Sequence, residues 1–120
     1  MEWNMNNALL IMGGACGMLV AVGHGFIGHK KVLQPLTGPS PAMLRLNYAV
    51  FQMTAIYWFA GGAALVLAPF TLDPAMRLAV AVMVAFVYAV GALGNILLTR
   101  GRHFGGYALA LAAVLSLLGG

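Results

Sequence analysis

The sequence predicts an all-α integral membrane protein built as a bundle of four transmembrane helices. Hydrophobic residues make up 62% of the 120 residues and charged residues only 7%, and the mean hydropathy is +0.95. Four apolar stretches alternate with short polar breaks, and about 20 apolar helical residues cross the roughly 30 Å hydrocarbon core of a bilayer. The connections are too short to hold a second domain, so residues 1–120 are expected to form one domain.

The first helix is predicted over residues 7–27 and the second over residues 41–68. Residues 28–40 between them are expected to form a loop that contains prolines, glycines and lysines. Ser40 and Pro41 mark the start of the second helix, because serine caps a helix and proline is tolerated at the first helical position. At 1.5 Å per residue this helix is about 42 Å long, so its first turns are expected in the membrane interface.

The third helix is predicted over residues 74–99 and the fourth over residues 104–118. Asp73 and Pro74 repeat the signal of a cap followed by proline, and residues 100–103 form the last turn. The fourth helix is short for a membrane span. Local thinning of the bilayer or packing against longer neighbours accommodates such a helix.

The basic residues predict the orientation, because Lys and Arg concentrate in short cytoplasmic loops. Five of the six basic residues fall on or just beside the first and third connections, and only Arg77 lies beside the second, where Asp73 offsets it. Loops 28–40 and 100–103 are therefore expected in the cytoplasm of a bacterium, with both termini outside its inner membrane (N-out/C-out). Trp3 fits an interfacial anchor. The net charge of +4 thus reflects orientation in the lipid bilayer, and no nucleic-acid partner is expected.

Small residues four positions apart predict where the helices pack, because helices in lipid associate through close backbone contact. In the first helix these residues are Gly13, Gly17, Ala21 and Gly25, and in the third helix they are Ala81, Ala85 and Ala89. The pattern allows two interpretations. The residues pack the helices of one chain together, or they form a face that binds a second copy or another membrane protein.

The few polar side chains within the spans lie mainly toward the predicted cytoplasmic side. Polar groups in a membrane normally face the protein interior or a water-filled cavity, so we expect a polar vestibule open to the cytoplasm. Its candidate residues are His24, Gln52, Thr54, Tyr88, Asn95 and Tyr107. A quinone, a lipid or a small neutral solute would suit it. Alternatively, these side chains only connect helices through hydrogen bonds, each worth about 1 kcal/mol.

The sequence predicts neither catalysis nor a metal site. Acid–base chemistry needs a positioned carboxylate, histidine or lysine, and both carboxylates, Glu2 and Asp73, are expected on the external side. No histidine pair has the i, i+4 spacing, and no carboxylate accompanies the histidines. Haem held by two histidines would need a second histidine at the depth of His24. We therefore expect no enzyme activity, catalytic residue, metal or cofactor.

A Gly-Gly step in the second helix lies within residues 59–67, which read FAGGAALVL. Together with the chain length and the proline-containing first loop, this step resembles small bacterial four-helix membrane proteins of the DoxX-like kind. An acidic residue often precedes the step in that family, whereas Tyr57 and Trp58 precede it here. The resemblance implies an accessory role beside a membrane redox system, in contact with quinone or lipid.

The sequence therefore favours a non-enzymatic protein that acts through helix association. It would work as a homo-oligomer or as an accessory subunit of a larger membrane complex. The alternative function is that of a binder or conduit for a small molecule, which would use the vestibule.

Overall fold

The computed structural model describes residues 4–120, and within that range the chain is helical with no strand. Helix α1 spans Met5–Gly23 and runs directly into a π-helical segment, His24–Leu33. Helices α2, α3 and α4 span Pro41–Thr71, Pro74–Leu98 and Phe104–Gly119. The prediction of an all-α fold with four helices is confirmed. Glu2 and Trp3, which entered the predictions of charge and anchoring, lie outside the described residues.

Side-chain caps define where α2 and α3 begin. The Ser40 hydroxyl accepts a hydrogen bond from the Met43 N–H at 3.3 Å, and the Asp73 carboxylate accepts one from the Met76 N–H at 3.1 Å. In both helices a proline follows the cap directly. The residue pairs that the sequence indicated as helix starts therefore act as such.

The first helix is longer than predicted, because its hydrogen bonding changes where the loop was expected. Gly28 does not end it, and residues 24–33 continue as a π-helix, so Lys30 and Lys31 are helical. The Gln34 N–H still donates to the His29 carbonyl five residues back, at 3.0 Å. Pro35, which has no N–H to donate, follows directly. Only the remainder of the expected loop, residues 34–40, is non-helical.

Helix α2 also extends past its predicted end. Pro69 lies inside the helix, which continues to Thr71. Proline has no N–H, so Pro69 removes one backbone hydrogen bond from the helix. It lies close to the helix end, where the Thr71 hydroxyl donates a hydrogen bond to the Leu67 carbonyl at 3.0 Å. Leu72 and Asp73 form the two-residue link between α2 and α3, and Asp73 caps α3.

Helix α1 packs along both α2 and α4, while α3 packs mainly along α4 and less along α2. The backbones of α1 and α2 approach each other closely at Gly14 and Gly62. A Cβ on either glycine would lie 2.5 Å from the carbonyl oxygen of the other. Side chains larger than hydrogen would therefore separate these helices, as they do in membrane helix pairs that depend on small residues.

The small residues spaced four positions apart in the first helix, which we call its small-residue ladder, pack against other helices of the same chain. A Cβ on Gly13 would lie 2.9 Å from the Ser116 hydroxyl of α4, and one on Gly17 would overlap Tyr88 of α3. Ala21 is buried, and the half-buried Gly25 faces Gln52 of α2. This face of α1 is thus covered by the other three helices.

On α3 the ladder is only partly internal. Ala81 and Ala85 are buried, whereas Ala89 is exposed. At 3.6 residues per turn, a residue eight positions from Ala81 is rotated by roughly 80° from it, and one seven positions away by only about 20°. Tyr88 therefore takes the interior position that the four-residue spacing assigned to Ala89.

Three helical stretches are long and apolar enough to cross a membrane, and α4, with 16 residues, is a shorter apolar helix. The long stretches are Met5–Leu33, Pro41–Thr71 and Pro74–Leu98. Large apolar side chains cover the outside of the protein, including Phe86 and Leu98, which are 69% and 88% exposed. Such an apolar surface suits contact with lipid.

Candidate ligand-binding site

Most of the basic side chains lie at one end of the molecule, which we call the basic end. It comprises the π-helical segment, residues 34–40, the first turns of α2 and the turn at residues 99–103. Its cations are Lys30, Lys31, Arg45, Arg100 and Arg102. Asp73 is the only acidic side chain among residues 4–120, and it lies at the opposite end, beside Arg77.

A cavity of about 700 Å³ opens between α1, the π-helical segment and α4 at this end. We call it the His24 cavity. Its floor and walls are largely apolar, with contributions from Leu19, Val20, Ile27 and Leu111. The polar or sulfur-containing side chains that line it are Cys16, His24, Lys31, Asn95, His103 and Tyr107. Its volume is typical of a small-molecule site.

His24 is held against the aromatic side chains of α2. Its ring stacks on Phe51 with a centroid distance of 3.9 Å and an interplanar angle of 13°. The Trp58 ring lies 4.8 Å away, tilted by 52°. The His24 Nε2 atom is buried and has no hydrogen-bond partner within residues 4–120. Leaving a buried nitrogen without a hydrogen bond costs about 1–3 kcal/mol of stability, so a ligand that bonded to this atom would be favoured.

Asn95 and Tyr107 line the same cavity from α3 and α4. The Asn95 side-chain amide donates to the Gly91 carbonyl of its own helix at 2.8 Å. Tyr107 is about half exposed, at 51%, and lies near the start of α4. Three of the predicted vestibule residues, His24, Asn95 and Tyr107, are therefore brought together.

Two other predicted vestibule residues have local or structural roles. Tyr88 is fully buried, and its hydroxyl donates to the Trp58 carbonyl at 2.9 Å. It lies deeper than the cavity because the absence of side chains at Gly17 and Gly62 leaves room for its ring. Thr54 donates to the Val50 carbonyl of its own helix at 2.9 Å. Neither lines the His24 cavity.

Gln52 belongs to a second cavity of about 550 Å³, which lies between the π-helical segment and α2. We call this the His29 cavity. Its polar lining consists of His29, Lys30, Tyr48 and Gln52. The Gln52 amide donates to the Gly25 carbonyl at 3.2 Å, which ties α2 to the π-helical segment. The single predicted vestibule is thus two cavities.

The π-helical segment separates the two cavities. His24, Ile27 and Lys31 line one of them, whereas Phe26, His29 and Lys30 line the other. His29 and both lysines were not predicted as lining residues, because they were expected to lie in a loop. The absence of proline between Gly28 and Pro35 was the available signal that the helix continues. Irregular π-helical turns are frequent at functional sites.

The His24 cavity offers hydrogen-bonding side chains next to aromatic and aliphatic walls. Among the described residues, no three His, Cys, Asp or Glu side chains are grouped closely enough to hold a metal ion. The Cys16 thiol donates to the Ala108 carbonyl at 3.4 Å. This arrangement suits a molecule with one polar group and an apolar body.

No family model, curated protein or solved structure matches this chain. The resemblance to DoxX-like proteins therefore stays a prediction from layout and from the Gly-Gly step.

Proposed function

We propose that the protein binds a small amphiphilic molecule in the His24 cavity, with its polar group hydrogen-bonded to His24. Two observations carry this proposal: His24 lines a 700 Å³ cavity, and its Nε2 atom is buried without a hydrogen-bond partner among residues 4–120. A ligand carbonyl or hydroxyl would pair with this nitrogen and remove the cost of leaving it unpaired. The apolar lining would receive the ring or tail of a quinone or a lipid.

The proposed setting is a bacterial inner membrane that the chain crosses four times. Three long apolar helices support membrane insertion, and α4, about 24 Å long at 1.5 Å per residue, would be accommodated beside its longer neighbours. The basic end would lie in the cytoplasm, because positive loops stay on that side. The ligand would then reach the cavity from the inner leaflet.

Binding explains the geometry better than helix association does. The ladder that favoured association is covered by other helices of the same chain, as Gly13 and Gly17 illustrate. Ala89 remains exposed, but the exposed side chains near it on α3, such as Phe86 and Leu93, are large and apolar and suit contact with lipid. A homo-oligomer or an accessory subunit therefore has less support than a ligand binder. We propose binding without catalysis, because no carboxylate of the described chain lies at this end.

Tryptophan fluorescence provides a direct test, because Trp58 lines the cavity. The chain has two tryptophans, so a Trp3→Phe background leaves Trp58 as the only one. Decylubiquinone titrated into the protein in detergent is expected to quench Trp58 saturably. His24→Phe keeps a flat ring against Phe51 but removes both nitrogens, and it is expected to weaken binding about tenfold, which one lost hydrogen bond produces.

The matched control is His29→Phe, which makes the same change in the other cavity. We expect it to leave the quenching curve unchanged. Equal affinity in His24→Phe and the parent protein would refute a hydrogen bond to His24. Quenching that rises linearly without saturation would refute a bound site altogether.

A further inference from the structure

We propose that the His29 cavity is a separate site for an anionic phospholipid, with the phosphate at Lys30 and one acyl chain lying in the groove between the π-helical segment and α2. This inference does not depend on the proposed function of the His24 cavity. The two cavities are lined by different side chains of the π-helical segment.

The lining of the His29 cavity is polar in one part and apolar in the other, which complements an amphiphilic molecule. Its polar part contains His29, Lys30 and Tyr48, and its apolar part contains Val22 and Phe59. Val22 lies in α1 and Lys30 lies eight residues further along, in the π-helical segment, so the two are about two helical turns apart. The polar part thus lies toward the end of the molecule and the apolar part toward its middle, parallel to the direction of a lipid chain.

Charge complementarity selects an anionic head group. Lys30 supplies a cation, and no acidic side chain of residues 4–120 lies at the basic end to neutralise it. The Nδ1 atom of His29 is buried without a hydrogen-bond partner in the described chain, and the His29 and Tyr48 rings pack in a T-shaped arrangement with their centroids 5.1 Å apart. A phosphate would accept hydrogen bonds from the exposed Lys30 ammonium, as in other basic pockets between membrane helices.

The apolar part of the cavity indicates a lipid rather than a free phosphate. Phe26 and Ile56, which line it, are 72% and 63% exposed, and an inorganic ion would leave them uncovered. An acyl chain would bury both against hydrocarbon. The bond from Gln52 to the Gly25 carbonyl, at 3.2 Å, fixes the floor of the groove.

Two adjacent lysines allow a controlled test, because Lys30 lines the His29 cavity and Lys31 lines the His24 cavity. The protein in detergent is mixed with dioleoylphosphatidylglycerol, and native mass spectrometry measures the fraction that retains one lipid. Lys30→Gln is expected to lower retention about fivefold, the effect of one lost lysine contact with an anionic lipid. Lys31→Gln, which removes the same charge, is expected to change it less than twofold. An equal loss of lipid retention in both variants would overturn the site and would indicate non-specific electrostatic attraction of the lipid to the basic end.

A second pair of variants tests whether an acyl chain occupies the groove. Ala60 lines the cavity and Ala89 does not, although both are exposed alanines. Ala60→Phe is expected to lower lipid retention by filling the groove, while Ala89→Phe leaves it unchanged. Equal retention in the two variants would overturn the proposed position of the acyl chain. Circular dichroism establishes that each variant keeps its helical content.

Further measurements test whether the bound phosphate belongs to a lipid and whether the two sites are independent. Dioleoylphosphatidylcholine, which has the same chains and no net charge, is expected to be retained less than the glycerol lipid. Inorganic phosphate is expected not to displace the bound lipid, and displacement would overturn a lipid site in favour of an ion site. Lys30→Gln should leave the quenching of Trp58 by decylubiquinone intact, so failure of either proposal is seen on its own.

Discussion

The two ends of this helical protein differ in how their polar groups are used. At the end opposite the basic one, the Arg77 guanidinium donates from Nε to the Leu72 carbonyl at 2.7 Å and from Nη1 to the Asn7 side chain at 3.2 Å. Nearby, the buried Ser116 hydroxyl donates to the Ala112 carbonyl at 2.7 Å. The two Arg77 bonds connect α3 to the α2–α3 link and to α1, so side-chain hydrogen bonds hold the elements together at this end.

The basic end is built in the opposite way. It contains the π-helical segment, two cavities and the two ring nitrogens, on His24 and His29, that are buried without partners in the described chain. Unpaired buried groups reduce stability, and proteins tolerate such costs mainly at functional sites. The middle of the molecule and the Arg77 end therefore contribute stability, whereas the basic end is suited to ligand binding.

The largest expected effect concerns the glycine contact that holds the middle together. Gly14→Val would place side-chain atoms on the Gly62 carbonyl, and overpacking of this kind costs about 1–3 kcal/mol or more. Gly94→Val is the matched control, because a Cβ at Gly94 meets no atom within 4 Å. Titration with sodium dodecyl sulfate, followed by circular dichroism, measures the free energy of unfolding. Equal stability of the two variants would contradict the close helix contact.

A smaller effect is expected at the Arg77 end. Arg77→Met removes two hydrogen bonds and should lower the free energy of unfolding by about 1–2 kcal/mol. Binding of decylubiquinone should stay unchanged, because the cavity lies at the other end. Arg45→Met, an exposed arginine of the basic end, serves as the control and should preserve stability. A loss of ligand affinity in folded Arg77→Met would show that the two ends are not separate.

The smallest effect is expected from Tyr88→Phe. It removes the hydrogen bond to the Trp58 carbonyl and should cost about 1 kcal/mol of stability, measured by the same titration. Tyr57→Phe, at a side chain that is 61% exposed, should cost nothing measurable. If Tyr88→Phe instead kept full stability and lost ligand affinity, Tyr88 would belong to the binding site, as the sequence analysis expected.

The number of helices and two of their starts could be predicted from the sequence, because those features depend on local chemistry. Ser40 and Asp73 act as caps within three residues of their partners. The concentration of polar residues toward one end was also visible in the sequence. The continuation of the first helix through Gly28 was not predicted, since a change to hydrogen bonds that span five residues leaves no simple periodic signal.

The division of the polar residues between two cavities depends on tertiary packing. Tyr88 looked like a vestibule residue, but the space beside Gly17 and Gly62 takes its side chain into the interior. Ala89 looked like a packing residue, but helical rotation leaves it exposed. Spacing along one helix therefore identified the right region of the molecule and assigned some of its residues to the wrong faces.

The most direct test of the account uses Cys16, the single cysteine of the chain and part of the His24 cavity lining. Alkylation of Cys16 by N-ethylmaleimide in detergent can be followed by intact mass, with and without decylubiquinone. Occupancy of the cavity predicts that the quinone slows alkylation at least about fivefold, the result of a ligand present at several times its Kd, and that His24→Phe loses most of this protection. Alkylation at the same rate with and without saturating quinone would contradict a ligand site in the His24 cavity.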